Sequence, residues 1–122
     1  MGTASNEERE IRAARNQALF RAINEKMLDL NEAFGEIVGN FDIACECSRI
    51  DCVELLEIPP DAYRAVRSNP RTFVVRVEHV DPAVEGVRSN HVGYVVVEAI
   101  GHGAQVADAT FCPRDGVRAS SR

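Results

Sequence analysis

The first third of the chain is one long amphipathic pattern, and any fold it adopts must accommodate that element. Ser5-Asn6-Glu7-Glu8 matches a capping box, with Ser5 at the N-cap and Glu8 three residues on. Ile11, Ala18, Leu19, Ile23, Met27, Leu30, Phe34 and Ile37 then recur at three- and four-residue steps. That spacing predicts a helix from about residue 6 to about residue 34, ending near Gly35, with these side chains along one face. Arg, Glu, Asn and Gln occupy most other positions. The stripe is expected to pack on the core. The competing reading is a homodimer seam, or a docking face for an unknown protein partner, because so long a helix outruns a small sheet.

Beyond Gly39-Asn40 the period changes. Phe41 to Cys47 and Cys52 to Ile58 read as two short strands of a hairpin around Ser48-Arg49-Ile50-Asp51. Pro59-Pro60 closes the second strand and opens a short helix from Asp61 to about Ser68, since proline suits the first helical turn. Asn69-Pro70 stops it. Arg71 to Val80 is the clearest strand, with Phe73, Val75, Val77 and His79 sharing its inward face. Asp81-Pro82 suggests a second short helix to about Ser89, and Val92 to Ile100 a further Val-rich strand. The expected class is α+β: a long N-terminal helix on a small, mainly antiparallel sheet, with two short helices and a cysteine-bearing knuckle hairpin. Residues 1–112 form one domain, and 113–122, rich in Pro, Gly, Arg and Ser, are expected to be a disordered tail.

Cys45-Glu46-Cys47-Ser48-Arg49-Ile50-Asp51-Cys52 carries the strongest chemical signal in the chain. The pattern is C-x-C-x4-C. On an extended strand Cys45 and Cys47 point the same way, and a four-residue loop can fold Cys52 back toward them. Three thiolates from one knuckle favour a tetrahedral thiophilic ion, for which Zn²⁺ is the default. A fourth ligand must come from elsewhere. His79 is the first choice, at the end of an inward-facing strand, and His91, His102 and Cys112 compete. The plain alternative is that these cysteines are small buried hydrophobes. A second use of the same sulfurs is a thiol redox or metal-release switch, in which oxidation to a disulfide frees the ion.

The segments Arg15-Asn16-Gln17-Ala18-Leu19-Phe20-Arg21, Ala44-Cys45-Glu46-Cys47, Asp51-Cys52, Asp61 to Arg67 and Phe73-Val74-Val75 are shared features of a recognisable kind. With them the chain resembles a family of small, uncharacterised actinobacterial proteins. In that family an "RN-x-ALFR-x-xNE" helix precedes a "C-E-C-x4-C" knuckle and a strand ending in His. The resemblance runs from about residue 12 to 100. It implies a metal site at Cys45, Cys47, Cys52 and His79, and it implies no activity. The family pattern has Gly before that His and Glu after it, whereas His79 here lies between Glu78 and Val80.

Composition closes off other classes. The chain has 122 residues and a formal charge of -5, from 14 basic and 19 acidic residues. Nucleic-acid binding is not expected, because phosphate neutralisation needs clustered Lys and Arg. All the basic residues but Lys26 are Arg. Neither a secretory signal nor an apolar run of about 18 residues is read, so the expected location is cytoplasmic, where thiols stay reduced. Gly101-His102-Gly103 begins like a dinucleotide loop but lacks its third Gly, and a simple turn is expected there. With no P-loop, no nucleophile elbow and nothing to orient a Cys112–His102 pair, no catalytic residue is assigned. The aromatics Phe41, Tyr63, Phe73 and Tyr94 are expected in the core.

Overall fold

The computed structural model describes residues 6–33, 40–49 and 51–111. It shows an α+β arrangement: a long N-terminal helix packed on small antiparallel sheets, with two further short helices. Helix α1 covers Asn6–Ala33. Strands β1 (Phe41–Ala44) and β2 (Leu55–Ile58) pair antiparallel, Phe41 opposite Ile58 and Ala44 opposite Leu55. Alternation along this ladder buries Phe41, Ile43, Leu56 and Ile58. Helix α2 (Pro60–Arg67) follows, with Pro60 in the first turn, where no N–H is needed. Asp61 lies in that turn and Arg64 and Arg67 in the last, each complementing the helix dipole.

Strand β3 (Thr72–Val75) leads to a 3-10 turn at Val77–His79, then to β4 (Glu85–His91), β5 (Tyr94–Ala99) and helix α3 (His102–Ala109). The second sheet has the order β3-β5-β4 and is antiparallel throughout. Gly93 turns the β4–β5 hairpin at φ 90°, which a side chain would resist. Val74, Val75, Val97 and Phe73 are fully enclosed, and Phe41, Tyr63 and Tyr94 also lie in the core. Small residues let α3 approach α1: a Cβ on Gly103 would stand 3.6 Å from that of Ala14, and Ala104 and Ala107 are buried beside it.

Four expectations need correction. The strand predicted over Arg71 to Val80 stops at Val75, because the chain tightens into the 3-10 turn; Val77 is consequently 61% exposed rather than inward. The helix predicted from Pro82 is a short turn that enters β4 at Glu85, whose backbone pairs with Ala99. After Gly101, where the sequence predicts a simple turn, the chain forms a helix, α3. Finally, the apolar stripe of α1 is not its core face. The helix turns Ala14, Gln17, Phe20, Arg21, Asn24 and Leu28 inward, whereas Leu19, Ile23 and Leu30 are 49%, 42% and 51% exposed. The stripe positions Phe34 and Ile37, the proposed N-cap Ser5 and the tail 113–122 lie outside the described residues.

Candidate metal centre

The polar residues that α1 buries explain how the fold positions the cysteine loop. Gln17, Arg21 and Asn24 follow one another along the inner face, and each binds a different part of the chain. Gln17 Nε2 donates to Glu85 Oε1 at 2.6 Å, where β4 begins. Arg21 donates to the Pro70 carbonyl at 2.6 Å and to Thr110 Oγ1 at 3.0 Å, and its guanidinium covers the Phe73 ring. Asn24 grips Ala44 at both backbone groups, with Nδ2 donating to its carbonyl and Oδ1 accepting its N–H, each at 2.8 Å. Asn24 therefore acts as an extra rung beside β1, immediately before Cys45.

From there the loop bridges the two sheets. The Cys45 N–H donates to the Glu54 carbonyl at 3.0 Å, extending the β1–β2 ladder by one step. The next N–H, that of Glu46, turns away and donates to the Val74 carbonyl of β3 at 2.8 Å. The Glu46 side chain reinforces this crossing. Its carboxylate, fully enclosed, accepts from the Val74 N–H at 2.9 Å, from Tyr63 Oη at 2.5 Å and from Asn24 Nδ2 at 2.8 Å. Burial pushes the Glu46 carboxyl above the usual carboxylate range, against these three bonds and the nearby positive charge of Arg21. The remainder of the loop is held by Asn16 Nδ2, which donates to the Ser48 carbonyl at 2.9 Å. The Cys52 N–H closes a turn onto the Arg49 carbonyl at 3.2 Å.

Cys45, Cys47 and Cys52 thus sit in the irregular connection rather than on strands, which corrects the extended-strand argument for their common orientation. The 3-10 turn supplies the fourth group. Nδ1 of His79 lies 3.5 Å from both Cys45 Sγ and Cys52 Sγ. One ligand atom from each of Cys45, Cys47, Cys52 and His79 lies within 4.8 Å of the other three, and together these residues could hold a metal ion. The three cysteines are free thiols. Cys45 and Cys47 are buried, and Cys52 and His79 are half-buried.

Backbone N–H groups point at the sulfurs. The Arg76 N–H donates to Cys45 Sγ at 3.3 Å. The N–H groups of Arg49 and Glu54 do the same for Cys47 and Cys52 and favour the thiolates. Cys47 is held down to about 5, chiefly by a hydrogen bond from Cys45, with Arg49, Cys52 and His79 assisting against burial. The donor in that bond, Cys45, is pushed up by the same interaction and by burial. Burial also raises Cys52. The hydrogen bonds of the cluster thus favour negative charge on the Cys47 sulfur and hold protons on Cys45 and Cys52. A cation entering the cluster must displace those protons.

Of the competing ligands, His91 stacks on Tyr94 with ring centroids 4.6 Å apart, and its Nε2 is 2.8 Å from Ser89 Oγ. His102 begins α3, where Glu10 Oε1 accepts its backbone N–H at 3.0 Å. Neither joins the cysteines, and Cys112 lies outside the described residues. Sequence reasoning placed Tyr63 in the core but missed the bonds that Asn24 and Tyr63 make to Glu46, the buried trio that fixes the loop. No helix among the described residues is long and apolar enough to cross a membrane. No family model matches the chain, and neither a curated protein nor a solved structure matches it.

Proposed function

We propose that this protein is a zinc-stabilised interaction or regulatory module of a reducing, cytoplasmic compartment, with Cys45, Cys47, Cys52 and His79 as the ligands of one structural ion. The observation that carries the reading is the convergence of three sulfurs from the β1–β2 connection and one imidazole nitrogen from the 3-10 turn. Zinc bonds of about 2.3 Å to sulfur and about 2.0 Å to nitrogen, arranged tetrahedrally, separate S from N by about 3.5 Å. The two S···N distances from His79 are both 3.5 Å. Sulfur-rich donors with one imidazole suit zinc better than the hard cations, which prefer oxygen.

Four protein ligands leave no open position for water, which argues for a structural rather than a catalytic ion. In this reading Cys45 and Cys47 anchor the ion to the end of β1, Cys52 closes the loop over it, and His79 ties it to the second sheet. The Arg76 side chain reaches Glu54 at 3.7 Å and Glu78 at 3.5 Å, joining the same two segments at the surface.

The test is metal content per chain, measured by plasma mass spectrometry on protein purified without chelator or nickel resin. Thiol titration before and after chelation accompanies it. About one zinc per chain, with three thiols becoming reactive only after chelation, is the expected result. Metal-free, folded protein whose thiols all react at once, and which takes up no added zinc, would overturn the proposal.

A further inference from the structure

We infer that the hollow between α2 and the β4–β5 hairpin is a binding site for a small organic carboxylate with an apolar body. This inference is independent of the metal reading. Its starting point is the irregularity in β4. Val87 stands opposite Val97, but Ser89 stands opposite Val96, so Arg88 is an extra residue in the ladder. Without it, alternation would put Ser89 and His91 on the face of Glu85 and Val87. The bulge moves both to the other face of the sheet, beside Val96 and Tyr94. Arg88 serves that face too: its Nη1 donates to Glu98 Oε1 at 2.7 Å, and Glu98 lies two residues from Val96 along β5. Bulges re-aim side chains in this way beside functional sites.

The re-aimed side chains border a hollow of about 450 Å³, within the roughly 300–1,000 Å³ range of small-molecule sites. Across from them stands α2, whose Ala62, Ala65 and Val66 share one helix face through their three- and four-residue spacing. Two of the three are alanine, which leaves the space open. Val96 and Tyr94, both buried, complete the apolar part. The polar part says what the ligand carries. Arg88 and His91 border the hollow, and no carboxylate does among the described residues. In a chain of formal charge -5, such a lining selects an anion. Glu98 takes one nitrogen of the Arg88 guanidinium. The Nε–Nη2 edge makes no hydrogen bond among the described residues, and its two parallel N–H groups match the two oxygens of a carboxylate. Ser89 Oγ lies 2.8 Å from His91 Nε2, and stacking on Tyr94 holds the His91 ring. With the proton on Nε2, His91 donates to Ser89, whose own hydroxyl is left to donate to the anion. A phosphate dianion suits the hollow less. A single guanidinium already paired with Glu98 does not balance two charges, and Ser68 on the lining is the C-cap of α2, at the negative end of the helix dipole.

The experiment is a titration of the full chain, followed by nitrogen–proton correlation NMR, with four probes that share one aromatic body: phenylacetate, phenylethanol, phenethylamine and phenyl phosphate. Phenylacetate should shift the amide signals of Ser68, Ser89, His91 and Tyr94 and saturate with a Kd of about 1 mM, the strength expected of so small a ligand. The alcohol, the amine and the phosphate should each bind about tenfold more weakly or worse. Arg88→Gln should weaken phenylacetate by about tenfold or more, with circular dichroism unchanged because the side chain is 53% exposed. Ala65→Phe should abolish binding by filling the hollow from an exposed position on α2. The absence of any saturable shift below about 20 mM phenylacetate would overturn the inference. Binding of the alcohol or the phosphate as tight as that of the carboxylate, or a phenylacetate affinity that neither variant lowers, would do the same.

Discussion

Replacing Glu46 by alanine removes one acceptor group from three donors at once, and the structure allows the cost to be apportioned. Tyr63 Oη and the Val74 N–H are buried and point at the carboxylate, so both lose a partner in a water-free site. Asn24 Nδ2 keeps its bond to the Ala44 carbonyl and loses less. An orphaned buried donor costs about 1–3 kcal/mol. Two full losses and one partial loss, with the small cavity, total about 4–6 kcal/mol. Relief of the carboxylate's own burial cost works in the opposite direction. The net expectation for Glu46→Ala is about 3–5 kcal/mol, a large part of the 5–15 kcal/mol by which small domains are stable.

Glu46→Gln separates shape from charge. Its carbonyl can still accept from the Val74 N–H, and Tyr63 can turn its hydroxyl to accept from the new amide. Only Asn24 then faces another donor, and it cannot flip without losing the Ala44 N–H. The expected cost is about 1–2 kcal/mol. The assay is urea unfolding at neutral pH, run on parent and variants carrying the same metal content. The midpoint should fall while the slope stays constant. A Glu46→Ala protein within about 1 kcal/mol of the parent would refute the orphaned-donor reasoning. Equal losses for Gln and Ala would show that charge, not acceptor geometry, matters there.

Other perturbations have equally definite signs. Burial raises the Glu85 carboxyl to about 7, against the Asp81 N–H and the Gln17 amide that favour its anion. The folded state thus holds this proton more tightly than the unfolded state does. The resulting stabilisation is full below the unfolded value of 4.5 and is lost as pH rises through 7. Glu85→Gln, with the Gln17 amide turned to accept, should flatten the stability profile across that window, where the parent declines by about 2–3 kcal/mol. His79→Ala and Cys52→Ser should each weaken zinc binding by more than the roughly 10–100-fold that loss of a supporting hydrogen bond costs, as read by competition with a chromogenic chelator. Gly101→Ala should destabilise by about 1–2 kcal/mol in thermal melts, because φ is 63° there and the new Cβ would meet Glu10 Oε1 at 2.8 Å.

Local signals in the chain were sufficient for a good deal of this architecture. The long three- and four-residue period marked α1, which is helical throughout the described residues Asn6–Ala33. The hairpin pattern marked β1 and β2, valine richness marked β5, and Pro60 marked the start of α2. C-x-C-x4-C singled out the three sulfurs. These features are readable because each depends on neighbours in sequence: dihedral preference, periodicity and the reach of a short loop.

What was not legible depends on contacts between distant segments. The apolar stripe of α1 looked like a core face, since hydrophobic side chains ordinarily avoid water. The fold instead buries Gln17, Arg21 and Asn24, because Glu85, the Pro70 and Ala44 carbonyls and Glu46 await them from 20 to 68 residues away. A polar side chain is tolerated inside once all its partners are supplied, and no window of sequence reveals that supply. The path that brings His79 to the cysteines is of the same kind. Periodicity puts it on a strand, but a 3-10 turn delivers it to a loop that the Glu46 N–H docks on β3. The sequence by itself determined which atoms are available for a metal. Tertiary structure alone decided that they meet, because their convergence depends on two sheets, one helix and a buried carboxylate whose partners lie far apart along the chain.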